Sequence, residues 1–101
     1  MTEHQLTCDI LLAAQKALLG AITPHLRMVS IKWDGLKSLS CRAHFDSQPA
    51  QADIDEMDAV VSQIIADVPF EWADMLDVVV SDAPVAELEP LGTMVFLRKE
   101  R

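Results

Sequence analysis

Residues 43–97 contain no lysine and no arginine, although the 101-residue chain has eight of them in all. The same part of the chain holds 12 of the 16 carboxylates. These acids are Asp46, Asp53, Asp55, Glu56, Asp58, Asp67, Glu71, Asp74, Asp77, Asp82, Glu87 and Glu89. A concentrated field of one sign attracts a partner of the other sign and repels phosphate backbones. The pattern favours a basic protein partner and argues against nucleic acid.

Tyrosine is absent, and only five aromatic residues occur, which leaves few platforms for stacking bases. No apolar run approaches the roughly 20 residues that a membrane helix needs. The longest candidate, residues 10–22, is interrupted by Gln15, Lys16 and Gly20. The first residues also lack the basic region of a secretory signal. We therefore expect a cytoplasmic protein without a membrane segment.

Motifs that carry catalysis are missing. Three glycines leave no glycine-rich phosphate loop, and neither G-x-S-x-G nor H-E-x-x-H occurs. The histidines, His4, His25 and His44, lie far apart in the sequence. A small pocket around His44, with Ser30 as a neighbour on the adjacent strand, is the arrangement that an enzyme hypothesis would use. Solvated strand residues explain the same pattern without a site, and we expect no enzymatic activity.

Metal and cofactor motifs are missing as well. Residues 53–58 resemble the start of a calcium loop, but the glycine at position six and the glutamate at position twelve, here Ile64, are absent. Cys8 and Cys41 have no C-x-x-C spacing and lie among apolar neighbours, which is typical of buried free thiols. We expect no bound metal and no cofactor.

The hydrophobic periodicity predicts a single α+β domain over residues 1–101. Helical spacing indicates helices over residues 6–19 and 50–67, with Ser47 a candidate cap of the second. Alternation indicates a hairpin of residues 27–33 and 36–45 around the turn signal Asp34-Gly35, and further strands over residues 75–81 and 93–99. The order α-β-β-α-β-β predicts a two-layer sandwich, in which both helices pack on a mostly antiparallel four-stranded sheet.

Two details of this prediction bear on function. The hairpin presents a polar face, whose residues include Lys32, Ser40, Arg42 and His44, and we expect water on that face. The run Val78-Val79-Val80 favours a central position for the third strand.

The acidic residues of the second helix and of the connection after it are the candidate binding site. The helix dipole accounts for carboxylates in the first turns, but it does not account for the absence of any base later in the helix. Trp72 lies in the acidic connection, and tryptophan is enriched among residues that dominate interfaces. The predicted partner-binding residues are Asp55, Glu56, Asp58, Glu71, Trp72 and Asp74.

Several segments resemble a set of small bacterial proteins over residues 12–100. They are residues 14–27 (AQKALLGAITPHLR), 29–34 (VSIKWD), 45–46 (FD), 65–69 (IADVP), 87–92 (ELEPLG) and 95–100 (VFLRKE). Some members are similar to immunity proteins of contact-dependent inhibition and related polymorphic toxin systems. The resemblance implies that the chain binds and neutralises a cognate toxin domain, often a nuclease, inside the cell. It assigns no contact residue.

Two hypotheses from different classes follow. The first is an immunity protein whose acidic surface covers a basic toxin domain. The second is a structural or regulatory protein that forms a homodimer through the edge of its last strand, near Val95, Phe96 and Leu97. A dimer that forms without any toxin would favour the second.

Overall fold

Two helices and five strands make up the fold in the computed structural model, which describes residues 2–100. The helices are α1 (Glu3–Leu18) and α2 (Gln51–Asp67). The strands are β1 (Leu26–Asp34), β2 (Ser38–Phe45), β3 (Trp72–Ala73), β4 (Asp77–Val80) and β5 (Thr93–Leu97). A short 3-10 helix, Val85–Glu87, lies between β4 and β5. The α+β class predicted from the sequence is confirmed.

The sheet is mixed rather than mostly antiparallel. β1 lies between β2 and β5 and pairs antiparallel with both. β3 and β4 both pair with β2, on its other side, and both run parallel to it. Parallel neighbours need a crossover connection, and α2 supplies it between β2 and β3. The sheet therefore has five strands rather than the four predicted, and it combines two antiparallel pairings with two parallel ones.

Capping residues set where the helices begin. The Thr2 side chain accepts a hydrogen bond from the Gln5 backbone N–H at 3.0 Å, so α1 begins three residues earlier than its apolar pattern predicts. At the start of α2, the Asp53 carboxylate accepts a hydrogen bond from the Ala50 N–H at 3.1 Å. The predicted cap, Ser47, instead donates to the carboxylate of Asp46.

The hairpin loop is one residue longer than the two-residue turn signal suggests. Asp34 pairs with Ser38, so three residues, Gly35 to Lys37, make the loop. Gly35 has φ +52°, a left-handed conformation that glycine adopts without strain. The loop places Leu36 at the tip of the hairpin, 37 % exposed.

The core lies between the helices and one face of the sheet. β1 and β2 contribute alternate residues to it, among them Ile31, Leu39 and Phe45, which are almost fully buried. α1 contributes Ile10 and α2 contributes Ile64. Cys41 is buried in this core, whereas Cys8 is exposed on α1, so the expectation of two buried thiols holds for one of them only.

The valine run belongs to an edge strand. Within residues 2–100, β4 pairs with β2 alone, although its β-branched residues predicted a central position. Both faces of this strand are partly covered, because Val78 packs against the core and Val79 lines a cavity beside Leu88. Burial on two faces favours valine as strongly as a central position does.

The polar face of the hairpin is partly covered, contrary to expectation. Residues 82–92, which we call the crossing loop, connect β4 at one side of the sheet to β5 at the other. The Leu91 N–H donates to the Ser30 hydroxyl at 2.8 Å, and Arg42 Nη1 donates to the Glu89 carbonyl at 3.1 Å. Leu88 is only 8 % exposed. The loop therefore covers the part of this face that holds Ser30 and His44.

Candidate partner-binding surface

The six predicted binding residues lie on two sides of the molecule. Asp55, Glu56 and Asp58 are exposed on the first half of α2. The buried side of α2, including Met57 and Val61, belongs to the core between the helices and the sheet. These three carboxylates therefore belong to the helical layer.

Trp72 and Asp74 lie on the opposite face of the sheet. Ala73 pairs with Leu39 and packs against the core, so its neighbours in the strand point the other way. The Ser40 hydroxyl, on that same open face, donates to the Asp74 carboxylate. The fold thus brings Trp72 and Asp74 together and separates them from the α2 carboxylates.

Glu71 lies beside the hairpin loop and next to Trp72 in the chain. Its backbone N–H donates to the Leu36 carbonyl at 2.9 Å, and the Trp72 N–H donates to the Lys37 carbonyl at 3.1 Å. The chain from residue 71 onward therefore runs beside the hairpin tip. This position depends on the pairing of β3 with β2. The strand predicted from the sequence begins only at residue 75.

Met75 is a prominent residue of this region that is not among the six predicted from the sequence. Its side chain is 93 % exposed in the segment between β3 and β4, while the next residue, Leu76, packs against the core. The third strand predicted from the sequence, residues 75–81, includes Met75, and its alternation gives no reason to expect such exposure. The exposure of Met75 follows from the interruption of the strand at residues 74–76.

Lysine and arginine side chains from outside residues 43–97 neutralise some of the carboxylates within that range. Arg98 lies 2.8 Å from Asp46, Arg42 lies 2.6 Å from Asp77 and Lys16 lies 3.6 Å from Asp67, measured between side-chain N and O atoms. In the chain from residue 2 to residue 100, ion pairs involve none of the five predicted carboxylates, which are Asp55, Glu56, Asp58, Glu71 and Asp74. The surplus charge therefore remains on both candidate groups.

His44 is buried beneath the crossing loop. It is 2 % exposed, and its Nδ1 finds no hydrogen-bond partner among the described residues. Burial, with a smaller contribution from the Arg42 charge, lowers the pKa of this imidazole. The adjoining cavity measures about 270 Å³ and is lined by residues that include Arg42, Val79 and Leu88.

The strand register separates His44 from Ser30. His44 is opposite Met28, whereas Ser30 is opposite Arg42. The Ser30 hydroxyl accepts a hydrogen bond from the Leu91 N–H. The two side chains are therefore not paired across the strands in the way that a nucleophile and its base would be.

A larger cavity, about 510 Å³, lies at the hairpin end between α1 and the hairpin loop. Its walls include Leu6, Trp33 and Leu36, together with polar groups of Thr2 and Glu3. It opens on the helical side of the hairpin tip, because Trp33 packs against the core from that side.

Metal ligands do not gather anywhere in residues 2–100, where no three histidine, cysteine, aspartate or glutamate side chains form a group that could hold an ion. In the same range, neither helix is long and apolar enough to span a bilayer.

Residues 7–100 match the family model of the MafI2 immunity protein. Because the match covers nearly the whole chain, the chain belongs to the MafI2 immunity protein family. A search of curated proteins finds no match.

Proposed function

We propose that this protein binds and neutralises a cognate toxin domain, and that its acidic surface meets a basic surface of that toxin. Membership of an immunity protein family supports the neutralising role. The observation that supports the acidic contact is the set of exposed carboxylates without ion pairs in residues 2–100, on α2 and at Glu71.

The toxin that fits this charge pattern best is a nuclease. A nuclease binds phosphate backbones through lysine and arginine side chains, so its cleft is basic. Carboxylates can occupy the positions of phosphates in that cleft and exclude the substrate. Inhibition of this kind needs no catalytic group on the immunity protein. A toxin that acts on nucleic acid inside the cell also implies that neutralisation takes place in the cytoplasm.

Electrostatic attraction between the two surfaces has a measurable consequence. Complementary charge raises the association rate at low salt, and added salt screens it over a Debye length of about 8 Å near 0.15 M. The test uses the toxin domain encoded directly beside this gene, purified from the co-expressed complex. Its association rate constant with the immunity protein should fall at least tenfold between about 0.02 M and 0.5 M salt.

Two outcomes are separable in this experiment. An association rate that does not change with salt would contradict the acidic contact while leaving neutralisation intact. The absence of a complex, together with full toxin activity in the presence of excess immunity protein, would contradict the neutralising role itself.

Self-association through β5 remains the second candidate. In residues 2–100, β5 pairs with β1 alone, and it exposes Met94 and Leu97 at 43 % and 47 %. One edge carbonyl, that of Val95, accepts a hydrogen bond from the Gln15 side chain at 3.4 Å, which reduces the free edge. Sedimentation of the protein without toxin distinguishes a dimer from a monomer.

A further inference from the structure

Two large apolar side chains stand exposed on β3 and in the acidic segment between β3 and β4. Met75 is 93 % exposed and Trp72 is 48 % exposed. They are three residues apart in the chain, so their Cα atoms lie at most about 11 Å from each other, within the span of a single interface. Tryptophan and methionine are both enriched in interface cores, where aromatic anchors are surrounded by polar residues.

The charges around these two side chains are negative. Glu71 precedes Trp72, and Asp74 lies between Trp72 and Met75. Within residues 2–100 neither carboxylate forms an ion pair, and that of Asp74 accepts a hydrogen bond from the Ser40 hydroxyl. Asp77 follows, although Arg42 neutralises it at 2.6 Å. An apolar centre with an acidic rim is complementary to a cation beside an aliphatic side chain.

The α2 carboxylates lack such a centre. Among residues 2–100, the large apolar side chains that are exposed include none from α2. The exposed neighbours of Asp55 and Asp58 are small or polar, such as Ala59 and Ser62. Exposed charge alone speeds encounter but contributes little affinity, whereas buried anchors contribute most of it.

We infer that Trp72 and Met75 form the centre of the toxin contact, and that the toxin segment seated on them carries a lysine or arginine beside an aliphatic residue. The inference rests on the proposed function, because it identifies the contact through which neutralisation occurs. The α2 carboxylates then raise the rate of association by attracting the toxin before contact.

Tryptophan fluorescence tests the position of the contact. The chain has two tryptophans, and Trp33→Phe leaves Trp72 as the only one. Titration of this variant with the purified toxin domain should shift the emission to the blue and reduce acrylamide quenching, after subtraction of the toxin's own signal. Binding seen by calorimetry without either change would overturn the inference.

Substitutions test the energetics and the charge of the occupant. Trp72→Ala and Met75→Lys should each weaken binding at least tenfold, and Met75→Glu should weaken it less than Met75→Lys because it attracts the toxin's cation. The matched controls Leu12→Ala and Leu19→Ala remove apolar side chains that are 62 % and 81 % exposed on or beside α1. We expect less than a threefold change from either control.

The outcomes separate this inference from the proposed function. If the unaltered protein neutralises the toxin but Met75→Lys and Trp72→Ala bind as tightly, the contact lies elsewhere and only this inference fails. If Met75→Glu binds no better than Met75→Lys, the occupant is not basic. If the unaltered protein does not bind the toxin, the proposed function fails. Since Met75 is almost fully exposed, its substitutions are compatible with folding and keep the test decisive should Trp72→Ala not fold.

Discussion

Arg27 donates two hydrogen bonds to Glu100, from Nε to Oε2 at 2.9 Å and from Nη2 to Oε1 at 2.7 Å. This paired geometry joins the start of β1 to a residue 73 positions away. Arg27 also donates to the Ser81 carbonyl at 2.8 Å, just after β4. One buried guanidinium therefore holds β1, the end of β4 and the C-terminal segment together.

Glu100→Gln should lower the melting temperature, because it leaves the Arg27 charge buried without its carboxylate. The matched control is Glu89→Gln, whose side chain is exposed and whose carbonyl, not its carboxylate, contacts Arg42. Thermal unfolding followed by circular dichroism measures both. Equal melting temperatures for the two variants would contradict the role assigned to this pair.

Acid should weaken the fold through Asp46. Hydrogen bonds from Arg98 and, to a lesser extent, from His25 lower the pKa of Asp46 from 3.8 to about 2. Between pH 3.8 and pH 2, Asp46 binds a proton in the unfolded chain but not in the folded chain. The stability that the Asp46 charge contributes is therefore complete above pH 3.8 and is lost as the pH falls toward 2.

Asp46→Asn removes this contribution. The variant should be less stable than the parent at pH 6, and the difference should shrink as the pH falls below 4. Urea unfolding at pH 6, 4 and 3 gives the free energies of unfolding. A difference that stays constant over this range would show that Asp46 contributes through something other than its charge.

Gly92→Ala should destabilise the fold more than Gly20→Ala. Both glycines have left-handed backbones, with φ +72° and +78°. A Cβ at Gly92 would lie 2.7 Å from the Ile31 carbonyl oxygen, whereas one at Gly20 meets nothing within 4 Å. Left-handed strain alone costs about 1 kcal/mol, and the clash should bring the cost at Gly92 to about 3 kcal/mol. Similar free energies of unfolding for the two variants would mean that the crossing loop adjusts freely.

The two thiols should differ sharply in reactivity. Cys8 is exposed, while burial, with a smaller effect from Asp58, raises the pKa of Cys41 to about 12. Since the thiolate is the reactive form, a chromogenic disulfide reagent should modify one thiol in the folded protein and two in denaturant. Cys8→Ser should abolish the reaction of the folded protein, and rapid modification of that variant would show that the core opens at Cys41.

The helices and the hairpin could be predicted from the sequence because the patterns that indicate them lie within short stretches of the chain. The alternation of β1 and β2, the turn signal at Asp34-Gly35 and the apolar stripe of α2 all involve neighbouring residues. The short strand β3 has two residues, too few to show any period. The parallel pairing of β3 and β4 with β2 depends on how α2 crosses the sheet, which no single segment encodes.

The covered face of the hairpin could not be predicted for the same physical reason. Arg27 and His44 are buried by residues of the crossing loop and the C-terminal segment, and polar residues on a strand ordinarily indicate a solvated face. The sequence indicated which residue types form the candidate site, namely carboxylates and a tryptophan. Its division between the two faces follows only from the strand pairing, and the exposure of Met75 follows only from the interruption between β3 and β4. The binding role of these residues remains a prediction.

Titration of toxin activity tests the central claim most directly. The purified toxin domain encoded beside this gene is assayed on nucleic acid with increasing amounts of the immunity protein. Activity should fall linearly to zero at one immunity protein per toxin, since a tight complex removes one toxin molecule for each inhibitor added. Full activity at a large excess of immunity protein would contradict the account.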